Sequence, residues 1–83
     1  MATDARVGLT MMDIGPQAIK EIVAVGEQVL EKNHGVLTAE TLLEEVRETT
    51  VGKEYGQREI EAALRTGALE GHYILADGVY ELL

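Results

Sequence analysis

The stretch Leu69-Glu70-Gly71-His72-Tyr73-Ile74-Leu75-Ala76-Asp77-Gly78-Val79-Tyr80-Glu81-Leu82-Leu83 decides the fold. Leu69, Gly71, Tyr73 and Leu75 alternate with Glu70, His72 and Ile74, a period of two that marks a strand with one buried face. Asp77-Gly78 separates this run from Val79-Tyr80-Glu81-Leu82-Leu83, and an Asp-Gly pair supplies the two positive-φ residues that a tight hairpin loop needs. A two-residue loop there fixes the register, with Ala76 opposite Val79, Leu75 opposite Tyr80 and Tyr73 opposite Leu82. Tyr73, Leu75, Tyr80 and Leu82 then face the rest of the chain, while His72, Ile74, Val79 and Glu81 take the other side.

Three helices precede the hairpin. Gly15-Pro16 opens the first, since proline fits the first helical turn, where its missing N–H has no partner to lose. From Gln17 to Asn33, Ile19, Ile22, Val23, Val29 and Leu30 recur at three- and four-residue spacing. Gly26 falls inside that stripe, which predicts the close approach of another backbone. Ala18 and Val25 widen the apolar arc, so cover is expected from a second direction, by the N-terminal arm or by another chain. Asn33-His34-Gly35 stops this helix, and Val36-Leu37 is long enough only for an extended bridge or short strand. Thr38 is placed to cap a second helix from Ala39 to about Glu48, with Leu42, Leu43 and Val46 inward and Glu40 in the first turn. Thr49 to Gly56 has no periodicity and reads as a connection anchored by Val51 and Tyr55. A third helix follows from about Gln57 to Thr66, capped by Gly52 or Gly56 and closed by Gly67, with Ile60, Ala63 and Leu64 inward.

The chain has 83 residues, 15 acidic against 7 basic, and a net charge of -8. One small domain of this size needs almost every apolar periodicity for a single core. There is no cysteine and no serine, so disulfides, thiolate chemistry and the commonest nucleophiles are excluded. No apolar run reaches the roughly 18 residues of a membrane span, and the first ten residues lack the pattern of a signal peptide, so a cytoplasmic protein without a membrane partner is expected.

The order helix, short bridge, helix, connection, helix, hairpin over residues 16 to 83 resembles the winged helix-turn-helix superfamily. Arg58-Glu59-Ile60-Glu61-Ala62-Ala63-Leu64, then Gly67, Leu69, Tyr73 and Asp77-Gly78-Val79-Tyr80, look like its third helix and wing. An α+β winged helix-turn-helix domain over 16–83 with an N-terminal arm over 1–15 is therefore expected. The resemblance implies either of two roles, reading duplex DNA with the third helix or packing against other proteins.

For DNA, the third helix carries Arg58, Ala62 and Arg65 on one stripe, with Lys53 and Gln57 near its start. Residues 47 to 67 hold four basic and four acidic side chains, whereas the other 62 residues hold three and eleven. Glu59 and Glu61 share that helix, and no Lys or Arg lies between Thr66 and Leu83, so the wing would repel phosphate. For protein contacts, the arm is apolar at Val7, Leu9, Met11, Met12 and Ile14 and alternates from Val7 to Met11, a pattern suited to adding a strand to the hairpin edge or to a second copy. Leu9, Met11, Met12, Ile14, Ala18 and Val25 are the expected self-association surface of a homodimer. His34 and His72 fit no metal-ligand spacing, and no glycine pattern forms a phosphate loop, so neither catalysis nor a cofactor is expected.

Overall fold

A computed structural model describes residues 15–83. The first helix, α1, spans Pro16–Lys32, with Pro16 in its first turn and Ile22, Val23, Gly26, Val29 and Leu30 buried. It ends as the sequence predicts. His34 and Gly35 both take positive φ (67° and 85°), and the Asn33 and Gly35 N–H groups donate to the Leu30 carbonyl at 2.9 and 2.6 Å. A short strand, β1 (Val36–Thr38), leads into α2 (Ala39–Arg47). Thr38 Oγ1 accepts the Thr41 N–H at 3.2 Å and so caps α2.

Beyond α2, Thr49 Oγ1 donates to the Val46 carbonyl and accepts the Gly52 N–H, at 2.6 and 3.0 Å. A single 3₁₀ turn, Gly52–Glu54, packs so closely on this end of α2 that a Cβ on Gly52 would overlap the Val46 carbonyl. Val51 and Tyr55 anchor the connection against the core, as expected from the sequence. The helix α3 spans Gln57–Leu69 from an N-cap at Gly56, whose N–H donates to Glu59 Oε1 at 2.7 Å.

The end of α3 corrects the sequence reading. Gly67 does not close the helix; it is buried inside it. The stop is Gly71, at φ 91°. There the Gly71 N–H donates to the Ala68 carbonyl and the His72 N–H to the Gly67 carbonyl, the paired bonds of a Schellman ending.

The hairpin has the predicted register. β2 (Tyr73–Ala76) pairs antiparallel with β3 (Val79–Leu82), with Tyr73 opposite Leu82, Leu75 opposite Tyr80 and Ala76 opposite Val79. Asp77 and Gly78 take φ of 53° and 73°, the positive values that the loop requires. β1 pairs along the other side of β3, so the sheet runs β1-β3-β2 with β2 at one edge. Three helices with a small antiparallel sheet ending in a hairpin make an α+β, winged-helix-like fold.

Tyr73 joins the layers. Its side chain is 1% exposed, and its ring meets that of Tyr80 edge to face, with centroids 5.5 Å apart and planes at 90°. Its hydroxyl end enters between α1 and α3 where both carry glycine. A Cβ on Gly67 would lie 2.8 Å from Tyr73 Oη and 3.0 Å from Val23 Cγ2; one on Gly26 would lie 3.0 Å from the same Oη and 2.8 Å from Leu64 Cδ2. Gly26 thus admits side chains, not the backbone that its place in the sequence suggests. A glycine within a helix costs about 1 kcal/mol against alanine, less than the roughly 1.5–3 kcal/mol from burying a large apolar side chain.

Tyr73 Oη is buried without a hydrogen-bond partner among the described residues. Burial, followed by Tyr80 and Glu27, pushes its phenol far above the ordinary tyrosine range. Folding therefore favours the neutral phenol, and its contribution, complete below about pH 10, is lost as pH rises past the unfolded chain's value. Tyr73→Phe should raise stability near neutral pH by about 1 kcal/mol and flatten the decline above about pH 10, as measured by urea unfolding across pH. Gly67→Ala should lower stability by about 1–3 kcal/mol. In a double-mutant cycle the Gly67→Ala loss should shrink on the Tyr73→Phe background, because the atom the new methyl meets first is gone.

Candidate protein-interaction surface

With α3 continued to Leu69, its outward stripe reads Arg58, Ala62, Arg65 and Leu69. The far end of that stripe is apolar. Leu69 is 86% exposed, and Ile74 (46%), Leu75 (36%) and Leu83 (78%) are the neighbouring exposed side chains of the hairpin. Together with Ala68 and Arg65 they line a cleft of about 390 Å³ between the end of α3 and β2. Leu75 belongs to the inward face of the hairpin by register, yet it is only partly covered. A neighbouring groove of about 490 Å³ shares Arg65 and Leu75 with this cleft and continues between α2, α3 and the wing.

Charge along α3 and the wing is unlike that of a phosphate-binding surface. From Gln57 onward the chain has Arg58 and Arg65 against Glu59, Glu61, Glu70, Asp77 and Glu81. Glu40 and Glu61 line the groove beside Arg65. Tyr80 borders it too; burial pushes its phenol up, the Arg65 guanidinium pulls the other way and Glu61 adds to the rise. Lys53, Gln57, Arg58 and Arg65 are exposed, whereas Ala62 is half-buried.

Leu9, Met11, Met12 and Ile14 lie outside the described residues. Ala18 is half-buried, and Val25 packs against the chain's own core. The large exposed apolar side chains that share one cleft are at the end of α3 and on the hairpin. Ile74 was legible as outward-facing from the alternation. Leu69 was not, because a helix taken to stop at Gly67 leaves it off the α3 stripe; Gly71, two residues beyond it, was the available signal.

Among the described residues no group of three His, Asp or Glu side chains is placed to hold a metal ion. His72 Nδ1 lies 3.3 Å from Glu27 and its Nε2 lies 3.8 Å from Glu70, at the surface. His34 is exposed in the turn after α1. Tyr55 donates from its hydroxyl to Glu21 Oε1 at 3.4 Å, tying the connection to α1. No helix among the described residues is long and apolar enough to cross a membrane.

No protein-family model matches this chain, and neither curated proteins nor solved structures offer a match.

Because Leu69 and Ile74 stand outside the core, Leu69→Lys and Ile74→Lys should each change stability by no more than about 1 kcal/mol. Leu64→Ala, in the core, should lower it by about 2–5 kcal/mol. Urea unfolding of the three variants checks both expectations.

Proposed function

We propose that this chain is a small, non-enzymatic, cytoplasmic winged-helix protein that acts through protein–protein contacts, self-associates and serves a regulatory role. One observation carries the proposal: the exposed cleft between α3 and β2 is lined by Leu69, Ile74, Leu75 and Leu83 with Arg65 as its one charged lining residue, and Glu40 and Glu61 line the groove next to it. Contiguous exposed apolar side chains on a small domain are what a partner covers. Arg65 with Glu40 and Glu61 of the adjoining groove supplies a mixed polar rim of the kind that surrounds protein interfaces.

A second reading, duplex DNA bound along α3, is favoured by the exposure of Lys53, Gln57, Arg58 and Arg65. Two measurements separate the readings. Sedimentation equilibrium of the full chain should give a dimer that Leu69→Lys with Ile74→Lys dissociates. Fluorescence anisotropy of a labelled random-sequence duplex should show no binding at low salt. A monomer throughout the micromolar range would overturn the self-association. Micromolar duplex binding that weakens steeply with salt and is lost in Arg58→Ala with Arg65→Ala would establish the DNA reading in its place.

A further inference from the structure

β2 is an edge strand without the usual protection. β3 occupies one side of it, and its four residues, Tyr73-Ile74-Leu75-Ala76, include neither a charge nor a proline. Edges are ordinarily guarded by such residues, because unpaired N–H and C=O groups form a template for another strand. Beside this edge lies the apolar cleft of Ala68, Leu69 and Leu75. An occupant suited to both is extended, uncharged, and apolar at every second residue.

The sequence contains one such segment outside the described residues. Val7-Gly8-Leu9-Thr10-Met11 has no charge and alternates apolar with small or polar residues. We infer that the free edge of β2 and the adjoining cleft seat the N-terminal arm of a second copy of this chain, Val7–Met11 adding as a fourth strand; the inference rests on the self-association proposed above. Antiparallel pairing with Met11 opposite Tyr73 and Leu9 opposite Leu75 puts Leu9 and Met11 on the cleft side, toward Ala68 and Leu69, with Val7 past the end of β2 at Asp77. Gly8 and Thr10 then lie opposite Ala76 and Ile74, the latter bordering the cleft from the other face of the strand. A slip of one residue would reverse this and turn Gly8 and Thr10 into the cleft.

The size of the surface points to a second copy. The exposed side chains of the cleft offer roughly a few hundred Å², short of the about 800 Å² per partner that stable interfaces cover. Two arms exchanged about a twofold axis use each seat once and supply the missing area twice. Only Met12, Asp13 and Ile14 separate Met11 from Gly15, and these four steps, fully extended, span roughly 13–14 Å, so the exchange holds the two domains close together.

The test uses the full chain. Sedimentation equilibrium compares it with Leu9→Asp/Met11→Asp, whose changes lie outside the described core and whose folding is checked by amide dispersion. A mixture of isotope-labelled and unlabelled chains is examined by filtered nuclear Overhauser spectroscopy. The inference expects a dimer, weakened at least about tenfold by the double substitution, with contacts between Leu9 or Met11 of one copy and Leu69 or Leu75 of the other. A dimer unchanged by the substitution overturns the arm seat and leaves self-association standing. A full chain monomeric throughout the micromolar range overturns both. Arm contacts confined within one copy overturn the role of the second copy.

Discussion

The Tyr73 ring lies where α1, α3 and the sheet meet, and the spacing of those three layers follows from it. Its hydroxyl end fits because α1 has Gly26 and α3 has Gly67 at the crossing. Its flank packs edge to face on Tyr80 of the central strand. With no Phe or Trp in the chain, tyrosine supplies the aromatic bulk of the core. That choice leaves Tyr73 Oη buried and unpartnered, a penalty of about 1–3 kcal/mol that the surrounding packing offsets. Two helix-weakening glycines and an orphaned hydroxyl thus belong to one arrangement, in which close approach outweighs local preference.

This arrangement also marks where the sequence was legible and where it was not. The hairpin register followed from Asp77-Gly78 because a two-residue loop admits few geometries, and Thr38 declared itself as a cap through chemistry confined to one turn. Gly67 was misread because a glycine near a helix end ordinarily marks the stop, and only the tertiary position of Tyr73, six residues away, requires it inside the helix. The pairing of Val36–Thr38 with β3 was similarly hidden: three residues carry no period of their own, and their partner lies more than forty positions downstream.

The candidate surface was legible in part. Ile74 was marked by alternation, but Leu69 became an outward residue only once α3 ran past Gly67. The basic stripe expected along α3 then becomes Arg58, Ala62, Arg65 and Leu69, half basic and half apolar. Val25, expected at an interface, is half-buried and packs in part against the chain's own core. The broad arc of α1 is partly used internally, and large exposed apolar side chains of the described residues gather at the end of α3 with the hairpin.

The hairpin is fastened at both ends. At its tip the Gly78 carbonyl accepts the Ala39 N–H at 2.8 Å, and at its base the Leu82 N–H donates to the Gly35 carbonyl at 2.7 Å. A wing held this way cannot swing as an independent flap without breaking bonds to the segments that begin α2 and follow α1. Any molecule that meets the edge of β2 therefore encounters a preformed rail. The loss of conformational freedom on contact falls almost wholly on the incoming segment, so the stiffness of the visitor, more than that of the domain, governs how tightly it is held.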